Sequence, residues 1–266
     1  MTAPSSDGGA GLAVDGLRAA WAEGVLELVL DRPGTRNALT IGMRRGLIRA
    51  VRAADADDAT RVVVLTGTDP AFSAGVDLTE SLGGEAGSPS GARTDPAAAL
   101  RVTRTPVIAA VNGLCYTGAL ELALSCSFVL SSDRARYADT HAAVGLIAGW
   151  GMSALLPAAV GVRLARQMML TGEPIDASTA LRAGLATEVV PHDRLLPRAR
   201  EVAAAIVAAH PGAVDATFGL LSAGEGVPLV HALGLEAQAV VRWRTDAAEV
   251  ARRFAARAGR GTGHSR

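Results

Sequence analysis

Apolar and polar positions alternate along residues 17–30, LRAAWAEGVLELVL, and the alternation breaks at Glu23-Gly24. This pattern is typical of a β-hairpin whose second strand ends at the DRPG stretch. From Thr40 onward, in IGMRRGLIRAVRAADAD, the apolar positions recur at helical spacing, so we predict a helix with Thr40 as its N-cap. Residues 61–67, RVVVLTG, then predict a short strand that is buried on both faces.

The same order of strand, loop and helix recurs in the middle of the chain. Residues 106–113, PVIAAVNG, predict a strand, TGALELALSC predicts a helix, and residues 128–133, FVLSSD, predict another strand. The repetition favours an α/β protein built on a parallel sheet. Beyond Gly149 helices predominate, up to a last amphipathic stretch from Pro228 to about Ala258.

These patterns divide the chain into three parts. We predict a flexible, Gly/Ser-rich leader over residues 1–13, an α/β core over 14–194 and a helical C-terminal region over 195–266. Residues 81–95, rich in Gly, Ser and Pro, predict a mobile lid or a segment that binding orders. Surplus apolar residues of the helical region either pack on their own core or form a subunit interface, and the sequence leaves both open. They include Val240, Val241, Trp243, Val250 and Phe254.

The composition argues against several classes of protein. The 266 residues are 49% hydrophobic and 20% charged, and the formal net charge of +0 gives no reason to expect nucleic acid or an anionic membrane as partner. No apolar run is long enough to span a bilayer, and the first residues lack the features of a signal peptide. Cys115 and Cys126 lie in apolar surroundings, which fits buried thiols in a reducing cytoplasm. The histidines show no paired ligand spacing, so no metal site is predicted.

Two loops follow equivalent strands of the predicted sheet, FSAGVDL (72–78) and NGLCYTGALE (112–121). Ligands bind at the carboxyl ends of parallel strands, where such loops converge. Gly75 permits a sharp turn that takes the N–H of Val76 out of a ladder, and Gly118 opens a helix whose first N–H groups lack internal partners. Two converging N–H groups would form an oxyanion hole.

Glu121 is the single carboxylate in the otherwise apolar stretch VNGLCYTGALELALSC. Burying an unpaired charge is costly, so a protein pairs such a group, neutralises it or uses it. The sequence pattern alone does not decide among the three.

Five linked motifs follow one another along the chain: LDRPGTRNALT, VVVLTGTDPAFSAGVDL, TPVIAAVNGLCYTGALELALSCSFVLSSDRARYA, GLIAGWGMSALLPAAVG and LTGEPIDASTALRAGLATEVVP. Over roughly residues 14 to 258, their order and spacing resemble the enoyl-CoA hydratase/isomerase, or crotonase-like, family. The resemblance implies a spiral of repeated ββα units with a helical C-terminal region, assembled as trimers or pairs of trimers. It also implies acyl-coenzyme A thioesters as substrates, with coenzyme A as part of the substrate and no separate cofactor.

The resemblance also assigns residues to the substrate. By matching motifs, the N–H groups of Val76 and Gly118 would hold the thioester carbonyl, and the carbonyl of Ala74 would face the coenzyme A adenine. The other residues predicted to contact the coenzyme are Asp77, Leu78 and Arg36.

Glu121 matches one of the family's two hydratase glutamates, and His141, in YADTHAAVG, occupies the position of the second. A histidine donates or accepts protons near neutral pH, so Glu121 and His141 could together add water to a double bond, although His141 could also be structural. Asp139 offers a second candidate for the missing carboxylate.

We therefore predict an enoyl-CoA hydratase. The alternatives are another isomerase or lyase reaction of the family, or a non-catalytic acyl-CoA-binding protein. A hydrolase using Ser125, Asp139 and His141 is disfavoured, because Ser125 lies within a helical apolar run without a nucleophile elbow.

Overall fold

A computed structural model of the protein describes residues 14–82 and 94–261. The predicted leader, residues 1–13, and most of the predicted lid, residues 81–95, lie outside the described residues.

The strands of the described part are β1 (Leu17–Ala22), β2 (Val25–Leu30), β3 (Val62–Gly67), β4 (Ala71–Ser73), β5 (Val107–Val111), β6 (Leu114–Tyr116), β7 (Phe128–Ser132), β8 (Arg136–Ala138), β9 (Ile175–Asp176) and β10 (Glu188–Val190). The helices of the same part are α1 (Ile41–Ala56), α2 (Leu78–Leu82), α3 (Pro96–Val102), α4 (Gly118–Leu124), α5 (Met152–Val160), α6 (Val162–Thr171), α7 (Ala177–Ala183), α8 (Leu195–Ala208), α9 (Pro211–Gly224), α10 (Leu229–Arg242) and α11 (Ala247–Gly261).

The N-terminal hairpin and first helix form where the hydrophobic pattern predicts them. β1 pairs antiparallel with β2, and the turn residues Glu23 and Gly24 both have positive φ, as a two-residue turn of type I′ requires. α1 begins after Thr40, whose hydroxyl accepts a hydrogen bond from the N–H of Met43 at 3.1 Å. Both predictions are confirmed.

A large and a small sheet divide the strands. The large sheet has the order β1-β2-β3-β5-β7-β10 and is parallel except for β1. The small sheet has the order β4-β6-β8-β9. The hairpin β1-β2 lies wholly in the large sheet, whereas each later pair, β3-β4, β5-β6 and β7-β8, sends its first strand to the large sheet and its second to the small one. The prediction of repeated ββα units is confirmed. β4 and β6 overlap the two stretches predicted to be loops, and β8 has no counterpart among the predicted strands, because strands of three residues are too short to show alternation.

The large sheet is covered on both faces. One face packs on the main core with α1 and α4, and the other packs against α8 through Leu195, Ala199 and Ala203. The latter face comprises Val62, Val64, Ile108, Ala110 and Leu130. Burial on both faces explains why β3 and β5 are almost wholly apolar.

The chain divides into a compact unit that ends at Val214 and a second that begins at Asp215. α8 belongs to the first unit, so this division falls later than the boundary between 194 and 195 suggested by the sequence. The second unit contains α10 and α11. Its exposed large apolar side chains include Leu229, Val230, Leu233, Val240, Val241, Trp243, Val250 and Phe254.

No single helix within 14–82 or 94–261 is long and apolar enough to cross a membrane. Among the residues that the structure describes, one pair of neighbouring stretches, His192–Ala208 and Pro211–Gly224, reaches that length and hydropathy when taken together, and a bend separates the two.

Candidate active site

The two predicted glycine loops lie against each other. Gly75 has φ 98°, and a Cβ at this position would lie 2.0 Å from Oγ1 of Thr117 and 2.9 Å from the carbonyl oxygen of Tyr116. Thr117 has φ 51° itself, and its hydroxyl donates to the carbonyl of Tyr116 at 2.8 Å. Only glycine fits at residue 75, because both its backbone conformation and its contact with Thr117 exclude a side chain.

The backbone conformation around Val76 points the N–H of this residue away from the paired strands. Leu39 donates to the carbonyl of Gly75 at 2.8 Å and accepts from the N–H of Asp77 at 3.1 Å. In a parallel pairing of this kind the residue between these two points its own N–H to the opposite side. The N–H of Val76 donates to no other residue in the described part of the chain.

Gly118 supplies the second such group, as the first residue of α4. Its N–H also finds no acceptor among the residues described. A Cβ on Gly118 would lie 3.0 Å from Cζ3 of Trp150 and 3.3 Å from Cγ2 of Val76, so the helix start, the first loop and the indole are in contact. The structure therefore brings the predicted amide donors of Val76 and Gly118 close together; their role in holding a carbonyl stays a prediction.

Glu121 is buried one turn into α4 and is held by backbone groups. Its Oε1 accepts hydrogen bonds from the N–H of Trp150 at 2.6 Å and from the N–H of Met152 at 3.1 Å. Burial raises the pKa of Glu121, and these two bonds and nearby His141 offset part of that effect, whereas Asp139 adds to it. The Oε2 atom is thus the oxygen turned to the remaining groups of the site.

His141 and Asp139 complete the polar part of the site. Asp139 follows β8 directly and is buried, and its Oδ1 lies 2.6 Å from Nδ1 of His141. The other ring nitrogen, Nε2, lies 4.0 Å from Oε2 of Glu121. Three titratable side chains therefore form a row, carboxylate, imidazole and carboxylate, with the imidazole in the middle.

A cavity of about 360 Å³ opens beside this row. Its lining is mainly apolar. The residues around it are Ala74, Val76, Leu78, Thr117, Glu121, Thr140, His141, Val144, Gly145, Leu146, Ile147, Gly149 and Trp150. An acyl chain could occupy such a space with its reacting carbons near Glu121 and His141.

The residues predicted to contact the coenzyme fall into two groups. Ala74 and Leu78 line the cavity, whereas Asp77 and Arg36 do not. The carboxylate of Asp77 accepts from Arg32 at 2.9 Å, and the backbone carbonyl of the exposed Arg36 accepts from the N–H of Ala74 at 2.9 Å. Both residues therefore fix the loop that carries Ala74, and a contact of either with the coenzyme stays a prediction.

The arrangement does not assemble the alternative hydrolase site. The hydroxyl of Ser125 donates to the carbonyl of Glu121 at 2.8 Å and accepts from Arg101 at 3.3 Å, and it does not contact His141. Burial raises the pKa of Cys126 to about 12, so its thiol is not prepared as a nucleophile either. No group of three or more His, Cys, Asp or Glu side chains in the described ranges is arranged to hold a metal ion.

Two backbone contacts of Glu121 and one buried residue, Asn37, are not predicted from the sequence. The N–H groups of Trp150 and Met152 bind the carboxylate of Glu121. Because these groups belong to the backbone, no residue type in the sequence indicates them. Asn37 is buried with φ 57°; its amide accepts from the N–H of Arg32 at 2.8 Å and donates to the carbonyls of Thr68 and Ala71 at 2.7 Å each. Asparagine is a common residue at positive φ, which is the signal that could have identified it.

Fold and site together define a class of protein: a spiral of ββα units in which two unpaired amides adjoin a buried carboxylate and an imidazole. The chain belongs to the enoyl-CoA hydratase/isomerase family, whose model matches residues 21–248. The crotonase-like resemblance is thereby confirmed.

Similar proteins include hydratases from several organisms. The probable peroxisomal enoyl-CoA hydratase 1 of Arabidopsis thaliana is 35% identical over 213 residues, which cover 80% of this chain and 80% of that protein. The 2,3-dehydroadipyl-CoA hydratase of Escherichia coli is 35% identical over 215 residues, which cover 80% of this chain and 84% of that protein. Among solved structures, an enoyl-CoA hydratase from Mycobacterium tuberculosis is 46% identical with a TM-score of 0.72, covering 85% of this chain and 97% of its own. One from Bacillus anthracis is 30% identical with a TM-score of 0.81, covering 91% and 96%.

Proposed function

We propose that the protein is an enoyl-CoA hydratase, which adds water across the 2,3 double bond of an enoyl-CoA thioester. The observation that carries the proposal is the position of Glu121. Two backbone N–H groups hold its Oε1, so Oε2 remains directed at His141 beside the apolar cavity. The relatives named above are hydratases, which favours hydration over another isomerase or lyase reaction and over acyl-CoA binding without catalysis.

The thioester carbonyl would accept hydrogen bonds from the N–H groups of Val76 and Gly118. Attack of water on the β-carbon moves negative charge onto this oxygen and produces a thioester enolate. Donors that are already in place stabilise such charge without reorganisation, and in known enzymes the loss of one donor costs about 3 kcal/mol. Glu121 would orient the water and activate it by accepting a hydrogen bond, and His141 would be its partner in the transfer of the proton.

The coenzyme would lie along the loop that follows β4. We assign the carbonyl of Ala74 as a contact of the adenine. The backbone of Leu78, on the same loop, and the residues Asp77 and Arg36 are assigned as further contacts of the coenzyme. Coenzyme A is then part of the substrate, water is the co-substrate and no separate cofactor is required.

Hydration of crotonyl-CoA removes the conjugated thioester and its ultraviolet absorbance, which gives a direct assay. We expect Glu121→Gln to lower kcat by about 100- to 10,000-fold while binding of butyryl-CoA, a saturated ester, persists in calorimetry. The exposed Glu173→Gln serves as the control and should leave kcat unchanged. A wild-type protein that binds these esters but hydrates none of several chain lengths would be a binding protein, contrary to the proposal.

We also propose a cytoplasmic homotrimer or dimer of trimers. The apolar side chains exposed on α10 and α11 support an interface there. Light scattering on the purified 27.0 kDa chain should give three or six times that mass. A monomer at micromolar concentration would refute this assembly.

A further inference from the structure

Asp139 holds His141 at two points with one oxygen. Its Oδ1 lies 2.6 Å from Nδ1 of the His141 ring and accepts a hydrogen bond from the backbone N–H of His141 at 3.2 Å. The side chain of Asp139 is 2% exposed and that of His141 13%, so water competes little for either contact. The ring edge that carries Nδ1 is thereby fixed relative to the turn on which His141 lies.

This contact decides which ring nitrogen carries the proton. An ionised carboxylate only accepts hydrogen bonds, so Nδ1 must be the donor in the pair. In a neutral imidazole the other nitrogen, Nε2, then has a free lone pair. That nitrogen is the one directed at Glu121.

The distance between Nε2 and Oε2 of Glu121 suits a shared water. At 4.0 Å it is too long for a direct hydrogen bond. A water about 2.8 Å from each atom can bind both at once. Because two N–H groups already occupy Oε1, Oε2 is the oxygen of Glu121 best placed to accept from this water.

We propose that Asp139 is a positioning residue that makes Nε2 of His141 the general base for hydration; this inference rests on the proposed function. The water, held by Oε2 of Glu121, loses one proton to Nε2 while its oxygen bonds to the β-carbon. The electron pair of the double bond moves toward the thioester oxygen. The imidazolium then returns the proton to the α-carbon, so one water is added and every side chain ends as it began. Asp139 remains a carboxylate and stabilises the imidazolium in between.

A double-mutant cycle separates this role from a merely structural one. We expect Asp139→Asn to lower kcat about 10- to 100-fold with KM unchanged, and His141→Ala to lower it about 100- to 10,000-fold. Because Asp139 acts through the imidazole, Asp139→Asn should cause no further loss in the His141→Ala background. An independent, multiplicative loss in the double variant, or an unchanged kcat in Asp139→Asn, would overturn the inference.

A second Asp–His pair, more exposed than the first, provides a control away from the cavity. Oδ2 of Asp69 lies 2.9 Å from Nε2 of His192, and neither residue lines the cavity. Asp69→Asn should therefore leave kcat unchanged. A comparable loss in this control would show that the assay reports general loosening of the fold.

The wild-type protein gives a test that does not depend on the folding of an Asp139 variant. Nitrogen-15 spectra of the neutral imidazole, assigned by the signal lost in His141→Ala, should show the proton on Nδ1. A proton on Nε2 would contradict the inference even if hydration is observed. If the wild-type protein hydrates no enoyl-CoA, the proposed function itself fails, which is a different outcome.

Discussion

Oε2 of Glu121 and Nε2 of His141 face each other at 4.0 Å, although the two residues come from different repeats of the fold. Their separation follows from the small sheet. β6 pairs with β8 with Tyr116 opposite Ala138, and the N–H of Thr117 donates to the carbonyl of Ala138 at 2.9 Å. α4 and the turn that carries His141 therefore start from adjacent points of one ladder.

Glu121 should make the stability of the protein depend on pH. Because burial raises the pKa of Glu121 above its ordinary value of 4.5, the unfolded chain releases this proton at lower pH than the folded protein. Between the two values the folded state binds more protons, so the free energy of unfolding falls as the pH rises through that window. The charged and titratable groups facing the carboxyl group are His141 and Asp139.

Glu121→Gln removes the titration and keeps an acceptor for the N–H groups of Trp150 and Met152. We expect this variant to be more stable than the wild type at neutral pH, by about 1.4 kcal/mol for each unit between the folded and unfolded pKa values. The advantage should vanish below pH 4.5. Urea unfolding at several pH values measures it, and a variant less stable than the wild type at neutral pH would contradict the prediction.

Gly75 and Gly161 form a pair that separates backbone strain from damage to the site. Both have positive φ, 98° and 77°, but a Cβ on Gly75 would overlap Thr117, whereas a Cβ on Gly161 would meet nothing within 4 Å. We expect either change to alanine to cost about 1–3 kcal/mol, because alanine is strained at positive φ and Gly161, with ψ 152°, lies in a region that is essentially limited to glycine. Gly75→Ala should also displace the N–H of Val76 and lower kcat about 100-fold, since misplacement by 1 Å has that effect.

Thermal unfolding and crotonyl-CoA kinetics on both glycine variants provide the measurement. Gly161→Ala should retain the kcat of the wild type. Equal kcat values for the two variants would mean that the contact between Gly75 and Thr117 does not position the amides.

The long elements of this fold were predictable, because their periodicity extends over enough residues to be read. The hairpin, α1, β3, β5 and β7 all lie where the apolar pattern places them. The helix predicted over TGALELALSC is shorter at both ends, since it runs from Gly118 to Leu124. At its C-terminus both the hydroxyl and the N–H of Ser125 donate to the carbonyl of Glu121, and such local bonds depend on geometry that the sequence does not show.

The candidate site was partly predictable as well. Gly75, Gly118 and Glu121 stand out because their residue types are unusual for their surroundings. The N–H groups that hold Glu121 could not be predicted, since any residue at positions 150 and 152 provides one. The orientation of His141 depends on Asp139 through a contact of 2.6 Å, and the spacing of the two residues alone does not determine it.

Asn37 should contribute strongly to stability, because its buried amide joins three backbone groups of neighbouring loops. Asn37→Ala leaves these groups unsatisfied at a cost of about 1–3 kcal/mol for each that stays buried. It also places alanine at φ 57°. Asn37→Gly loses the same bonds without the left-handed strain, so it should be more stable than Asn37→Ala by about 1 kcal/mol. Denaturant midpoints test the order of the three proteins, and equal values for the two variants would exclude the backbone contribution.

Arg101 should support Glu121 from a distance. Its Nη1 donates to the carbonyl of Trp150 at 2.5 Å, and the N–H of the same tryptophan holds Oε1 of Glu121. Arg101→Met removes a charged donor from a buried carbonyl, so we expect a loss of about 1–3 kcal/mol in stability and about tenfold in kcat. Arg101→Lys should restore part of the stability and part of kcat, because lysine keeps the positive charge and can donate one hydrogen bond toward the same carbonyl.

Ser125→Ala is the control for this prediction, because it removes the second acceptor of Nη1 of Arg101 and leaves both the bond to Trp150 and the ion pair with Asp95 in place. It should cost about 1 kcal/mol and preserve kcat, which would also exclude Ser125 as a nucleophile. Crotonyl-CoA kinetics measure kcat and thermal unfolding measures stability for the three variants. If Arg101→Met kept full activity, the position of Trp150 would have to depend on the packing of its buried indole rather than on the bond to its carbonyl.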